Sequence, residues 1–181
     1  VTPLGEAPYG GTLVQATLSD PRTFHPVLQS ETNEVTDQMQ WATLLTQGPD
    51  SDDWIPYAAE SFTINEAGTV FDVVIRDSLR WSDGEPITVQ DYFASYLLQT
   101  DPETGSNKYD GWFLNDIQIT LEITGERSLR FTFPGPDRTA FGTVALFPVP
   151  DRIFGEAYRS GGAEAVNALW GTETPVDQLI F

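Results

Sequence analysis

The chain has 181 residues, with 9 Lys and Arg against 27 Asp and Glu, which gives a formal net charge of −18. This charge argues against nucleic acids and anionic lipid surfaces as partners, because both are themselves negative. The absence of Cys excludes disulfides, thiol catalysis and thiolate metal sites. No apolar run approaches the ~20 residues that span a bilayer. The segment Val1–Gly10 lacks the basic and apolar regions of a signal peptide, so we expect a mature or trimmed N-terminus.

The N-terminal part predicts a strand, a loop and a helix. The apolar run Gly10–Leu18 favours a strand, and the following loop carries His25, the single His of the sequence. We expect a helix over Glu31–Thr46, because acidic residues near its start suit the helix dipole and Gly48 stands just past its end. Its buried stripe would be formed by Val35, Met39, Ala42 and Leu45.

The centre of the chain predicts a hairpin followed by a helix. Phe62 and Ile64 begin one strand, Asn65–Gly68 forms the turn, and apolar residues alternate with polar ones along the returning strand Thr69–Arg76. Ser82-Asp83-Gly84 has the composition of a tight turn.

The next helix is predicted over Thr88–Gln99. Thr88 is a suitable N-cap, and Asp91 lies at the spacing of a capping box. One apolar face follows at helical spacing, formed by Val89, Tyr92, Phe93, Tyr96 and Leu97.

After this helix the pattern indicates a long loop, Asp101–Asp116, and then two strands. Apolar and polar residues alternate over Ile117–Ile123, and a turn at Thr124–Arg127 leads into Leu129–Phe133. We expect these strands to be antiparallel neighbours in one sheet with the central hairpin. Three helical segments would follow, over Thr139–Phe147, from Pro148 to Tyr158, and from the Gly161-Gly162 break to Gly171.

The strand–turn–helix at the centre also carries a resemblance. The stretch RWSDGEPITVQDYFASYLLQTDPETGS strongly resembles the signature of the family 5 extracytoplasmic solute-binding proteins, and the match lies at Phe71–Arg76 and Trp81–Ser95. These are the oligopeptide-, dipeptide- and nickel-binding components of bacterial ABC importers. The sequence departs from the signature mildly, with Val89 and Gln90 where Ala and an acidic residue or His are usual.

The resemblance extends from about Gly10 to Phe181 and covers only the first part of the family's length. It implies an α+β fragment of the two-lobed periplasmic-binding-protein type II fold, formed by part of lobe I and the small extra domain of the peptide-binding cluster. Residues 1–48 would be the lobe I strand and helix, residues 49–171 the small domain, and residues 172–181 the return into lobe I.

The residues offer little support for the competing class, an enzyme. His25 stands beside Pro26 in a loop, where a turn or packing role is the simpler interpretation, and no nucleophile, phosphate-loop or zinc motif is present. The acidic run from Asp50 to Asp53 resembles a calcium loop at first, but Trp54 and Ile55 occupy the fifth and sixth positions, where a ligand and Gly are needed. We therefore expect no catalytic residue, no metal site and no cofactor.

The ligand-binding residues implied by the resemblance fall on two loops. Ser30, Glu31, Thr32 and Asn33 match the segment that lies along an extended peptide in peptide-binding members. Tyr109 matches the family's pocket-facing Tyr, and Trp112 is a second candidate nearby, although Lys108 is an insertion and Asn107 replaces Pro in this loop. Core packing of Tyr109 and Trp112, and helix capping by Ser30 or Thr32, remain alternative interpretations.

The function that the resemblance implies is the binding of oligopeptides or dipeptides between two lobes for delivery to ABC transporter permease subunits. Nickel chelates or oligosaccharides are the alternative ligands within the family, and a solute sensor that signals to a partner is the alternative class. The protein would be extracytoplasmic, in the periplasm or on the outer face of the cell membrane, and possession of a lipid anchor is left open. The sequence does not identify the ligand, because the residues that would determine ligand specificity lie mostly in the second lobe.

Overall fold

The computed structural model describes residues 42–48 and 50–169, which form an α+β arrangement of short strands and three α-helices. A π-helical turn, Asp151–Gly155, leads into the last helix, and 3₁₀ turns occupy Pro102–Thr104 and Tyr109–Trp112. The strands are β1 (Leu45–Gln47), β2 (Trp54–Pro56), β3 (Ala59–Ile64), β4 (Val70–Ile75), β5 (Phe113–Leu114), β6 (Ile117–Gln118), β7 (Thr120–Gly125) and β8 (Ser128–Thr132), and the helices are α1 (Val89–Thr100), α2 (Ala140–Val144) and α3 (Glu156–Ala168).

The main sheet has four antiparallel strands in the order β3-β4-β8-β7, as the sequence predicted for the two hairpins. The turn between β3 and β4 is held by Asn65, whose Oδ1 accepts the backbone N–H of Thr69 at 2.8 Å and of Val70 at 3.0 Å. Gly68 completes this turn at φ 68°, in the left-handed region that glycine adopts readily. Local turn chemistry therefore fixes the register of the first hairpin.

The two faces of this sheet differ in chemistry. Phe71 and Phe131 are cross-strand partners on the inner face and are buried in the main core. On the outer face Arg130 forms a bidentate pair with Asp72, at 2.7 and 3.0 Å, where both side chains remain well exposed. Exposed pairs contribute little stability, so the sheet is held chiefly by the burial of its inner face.

Helix α1 begins as the sequence predicted. The Thr88 hydroxyl accepts the N–H of Gln90 at 3.2 Å, and the Asp91 carboxylate accepts the N–H of Thr88 at 2.6 Å, which completes a capping box. Asp91 is only 4% exposed, and its other oxygen accepts the N–H of Asp151 at 2.9 Å. Burial raises the pKa of the Asp91 carboxyl above its ordinary value, while these N–H bonds favour the charged form.

Helix α1 packs into two cores. Val89, Tyr92 and Tyr96 belong to the core beneath the sheet, whereas Ala94 and Leu98 lie in a second core. That second core also contains Val149, which precedes the π-helical turn, Phe154 in that turn and Val166 in α3. Burial on both sides explains why most residues of this helix are inaccessible to solvent.

The prediction of a helix over Glu31–Thr46 is wrong at its C-terminal end. Leu45–Gln47 is a strand paired with Trp54–Pro56. Leu44 and Leu45 are consecutive and both fully buried, and Leu44 uses its backbone N–H to bind the carbonyl of Leu146 at 2.9 Å. Pairing with distant backbone therefore overrides the helical spacing. Residues 31–41 of this segment, the predicted strand Gly10–Leu18 and the segment 172–181 lie outside the described residues.

The prediction of one strand over Ile117–Ile123 is also partly wrong. The strand is interrupted at Ile119, and Ile117–Gln118 pairs with Phe113–Leu114 in a separate small hairpin. Ile117 is 58% exposed, whereas the alternation placed it on the inner face. The reason is the turn at Asn115 and Asp116 between the two short strands, in a segment where the sequence pattern predicts a continuous loop.

The C-terminal helices agree with the predicted order. Helix α2 lies within the predicted segment Thr139–Phe147. The π-helical turn and α3 follow, and the Gly161-Gly162 pair interrupts α3 with backbone angles that are not helical. Among residues 42–48 and 50–169, no helix combines the length and apolar character required to cross a bilayer.

Replacing Thr88 by Ala is expected to lower the free energy of unfolding by about 1 kcal/mol, because the N–H of Gln90 loses its acceptor. Thr88→Ser keeps the hydroxyl and serves as the control. Urea unfolding of the three proteins measures the effect. An unchanged midpoint for Thr88→Ala would mean that Asp91 alone sets the start of the helix.

Gly162→Ala is expected to destabilise the protein by about 1–3 kcal/mol, because Gly162 has φ 63° and ψ −157°, which a side chain disfavours. Gly142→Ala is the matched control, since a Cβ at this position in α2 would contact nothing within 4 Å. The control should be neutral or slightly stabilising, because Ala favours helix. Equal thermal midpoints for both variants would contradict the assignment of the helix break to Gly162.

Candidate ligand-binding loop

The loop after α1, residues Asp101–Asp116, is ordered from its first residue. The carboxylate of Asp101 caps the first 3₁₀ turn by accepting the N–H of Glu103 at 2.8 Å, and its second oxygen accepts the hydroxyl of Tyr158 at 2.8 Å. Burial and this bond raise the pKa of Tyr158 to about 12. Thr104 is buried and donates its hydroxyl to the carbonyl of Leu98 at 2.6 Å. Both ends of the turn are therefore fastened to neighbouring helices.

Trp112 anchors the middle of the loop. Its side chain is only 2% exposed, with the ring edge-on to Tyr96 at 4.8 Å between centroids and nearly parallel to Phe131 at 6.3 Å. The indole N–H donates to Oε1 of Gln99 at 3.1 Å, and Nε2 of Gln99 donates to Oγ of Ser95 at 3.0 Å. The buried indole is therefore held by contacts with two aromatic rings and by the hydrogen bond that its N–H donates to Gln99.

Tyr109 lies at the other end of the same 3₁₀ turn, Tyr109–Trp112. Its side chain is half-buried, and its ring lies 5.0 Å from that of Phe113 at an interplanar angle of 47°. The hydroxyl of Thr143 in α2 donates to the carbonyl of Gly111 at 3.2 Å, which fastens the turn to a third element. The turn therefore presents one partly exposed aromatic ring on a supported backbone.

The loop closes through a small hairpin. Asn115 and Asp116 have φ of 52° and 61°, the two left-handed residues of a type I′ turn between β5 and β6. The N–H of Ile119 donates to the carbonyl of Trp112 at 2.7 Å and joins the base of this hairpin to the anchor. The prediction of one long loop over Asp101–Asp116 is therefore wrong, because most of this segment forms defined turns and a short strand.

The structure brings together two of the six predicted ligand-binding residues, Tyr109 and Trp112, and gives them different environments. Trp112 is in the core, and Tyr109 is at the surface boundary. The others, Ser30, Glu31, Thr32 and Asn33, lie outside the described residues. A ligand-binding role for any of the six stays a prediction.

Sequence reasoning missed the polar residues beneath the loop. Ser95 and Gln99 are four positions apart on α1, and they are 0% and 3% exposed. Two polar residues at helical spacing next to apolar positions are a weak signal, because Trp112, the partner of Gln99, is not a neighbour in sequence. The acidic residues do not form a metal centre either: within the described ranges, no group of three or more His, Cys, Asp or Glu is arranged to hold an ion.

Comparison with known proteins adds the decisive observation. The sequence profile of the bacterial extracellular solute-binding proteins, family 5 (middle part), matches residues 53–176. The chain belongs to this family. Its α+β fold matches part of the periplasmic-binding-protein architecture.

Two relatives and one solved structure illustrate the match. A Deinococcus radiodurans protein named "Probable ABC transporter-binding protein" is 30% identical over 97% of this chain and 30% of its own length. The Bacillus subtilis dipeptide-binding protein DppE is 24% identical over 54% of this chain and 21% of its own length. Haemophilus influenzae OppA in complex with RPPGFSPFR shares the fold, with a TM-score of 0.62 at 19% identity, over 77% of this chain and 30% of OppA. The chain spans less than a third of each.

Asp116→Gly is expected to stabilise the chain by roughly 0.5–1 kcal/mol, because Gly reaches the left-handed region without the cost that a side chain carries. The position has φ 61° in the turn between β5 and β6. Asp110→Gly is the control, since Asp110 is also an exposed aspartate and lies in the adjacent 3₁₀ turn. A midpoint that falls for Asp116→Gly in thermal unfolding would contradict the assigned turn type.

Proposed function

We propose that this protein binds oligopeptides or dipeptides for an ABC importer, and that the Tyr109–Trp112 turn contributes to the ligand site. The observation that carries the proposal is the half-buried ring of Tyr109 on a turn anchored by a fully paired Trp112. Ordered aromatic side chains bury a large area at low entropic cost, since little freedom is lost on binding. The named dipeptide-binding relative supports peptides as the ligand class.

A binding role also agrees better with the described chemistry than an enzymatic role does. Asp91 is the buried carboxylate of this region, and both of its oxygens are engaged by backbone N–H groups that cap and join elements. A carboxylate held in this way has a sufficient structural role. The matched proteins are transport-associated binding proteins, and we extend that non-catalytic role to this chain.

The remaining parts of the proposal come from the family. The permease subunits of the importer would be the partner, and the protein would act outside the cytoplasm, in the periplasm or on the outer face of the membrane. Ligand would be trapped by closure of two lobes about a hinge, which makes and breaks no covalent bond. Ser30–Asn33 would line the bound peptide from lobe I, through backbone groups whose contacts do not depend on peptide sequence.

Replacing Tyr109 by Ala is expected to weaken peptide affinity about tenfold, the effect of losing one aromatic contact of about 1.4 kcal/mol. The test is titration calorimetry of a defined pool of di- to pentapeptides, with the full product of the gene that encodes these residues. Tyr57→Ala is the matched control, because Tyr57 is 56% exposed and lies outside the loop, between β2 and β3.

The control should bind like the wild type and unfold at nearly the same temperature. If Tyr109→Ala also binds like the wild type, the loop is not part of the ligand site. If the wild type itself binds no peptide, the ligand class is wrong, and the same titration with nickel chelates or oligosaccharides tests the alternatives.

A further inference from the structure

We propose that Gln99 is a positioning residue for the ligand site, holding the Trp112 indole so that Tyr109 is presented in its binding-competent orientation. This rests on the proposed function, because it assigns a role within the same loop. Gln99 itself is buried beneath the loop at 3% exposure. It would act through Trp112 and not by touching ligand.

The first step concerns the chemistry of a buried amide. Oε1 of Gln99 accepts the indole N–H of Trp112 at 3.1 Å, and Nε2 donates to Oγ of Ser95 at 3.0 Å. Burying an amide without partners is unfavourable, whereas an apolar side chain of the same size would be favourable here. A Gln at this position is therefore best explained by what its two polar ends hold, since packing alone would favour Leu or Met.

The second step concerns orientation of the indole. Ring contacts with Tyr96 and Phe131 hold the plane of Trp112, but contacts of this kind depend weakly on which edge of the ring faces inward. The hydrogen bond to Gln99 distinguishes the two edges, because only one carries the N–H. Gln99 thus selects one orientation of the Trp112 side chain.

The third step links the anchor to Tyr109. Both residues belong to a single 3₁₀ turn, so a change in the backbone at Trp112 is transmitted within four residues. The carbonyl of Trp112 also accepts the N–H of Ile119, and the next residue, Phe113, contacts the ring of Tyr109. If Trp112 loses its orientation, both the backbone of the turn and the ring of Phe113, which support Tyr109, are therefore disturbed.

The expected consequence is a smaller population of the competent loop. If a variant holds the loop in its binding orientation for only a tenth of the time, the apparent affinity falls about tenfold while the contacts in the bound state are unchanged. Gln99→Met removes the acceptor at nearly constant volume. Gln90→Met is the matched control, the same substitution on an exposed face of the same helix.

The experiment uses the full gene product and two readouts, titration calorimetry with the defined peptide pool and amide hydrogen exchange of residues 106–113. Gln99→Met should weaken binding about tenfold and speed exchange in the loop, while Gln90→Met should change neither. Trp112→Phe removes the N–H that needs an acceptor. In that background Gln99→Met should cause little further loss, because the two substitutions remove one interaction.

The outcomes separate the two proposals. If Tyr109→Ala weakens binding but Gln99→Met leaves affinity and exchange unchanged, the positioning role is overturned and the proposed function stands. If exchange speeds up but affinity does not fall, Gln99 is structural only, and the inference is again wrong. If neither the wild type nor any variant binds the pool, the proposed peptide-binding function fails, and the positioning role falls with it.

Discussion

The described structure depends on one buried carboxylate, that of Asp91. Its oxygens accept backbone N–H groups from Thr88 and Asp151, so that a single side chain starts helix α1 and holds the C-terminal helical segment against it. One ion pair, between Arg152 and Asp83 in the turn before α1, also joins this segment to the start of the helix. A second pair, Arg159 with Asp151, lies within the segment itself. Burying the Asp91 carboxylate costs free energy, and this cost is offset because both of its oxygens accept hydrogen bonds.

Because its start is fixed in this way, α1 can pack into a hydrophobic core on each of two sides. One face carries Tyr92 and Tyr96 into the core beneath the sheet, and the other carries Leu98 into the core with α3. The C-terminal half of the same helix carries Ser95 and Gln99, and Gln99, held by Ser95, binds Trp112 of the candidate ligand loop. A rigid scaffold that supports a functional loop is the usual arrangement in binding proteins. Here that scaffold is largely one helix of 12 residues.

Local signals predicted most of this fold and little of the site. The caps, turns and alternating strands around Asn65, Thr88 and Gly162 each reflect chemistry within a few residues, and the structure agrees there. Prediction failed where distant partners decide, as at Leu45, whose strand pairing overrides a helical pattern. It also failed at the Asn115–Asp116 turn, a less usual pair than Asn-Gly for a type I′ turn. The role of Gln99 could not be predicted from the sequence, because its partner Trp112 is reached only through the fold, and Ser95 acts through Gln99.

The most direct test of the account is a structure of the full gene product with the ligand that it retains on purification. We expect a peptide between two lobes, with the Tyr109 ring within about 4 Å of it, the distance of an apolar contact. The Trp112 indole should still donate to Gln99. A bound ligand that lies away from the loop of residues 101–116, with Tyr109 packed only against protein, would contradict the assignment of this loop to the ligand site.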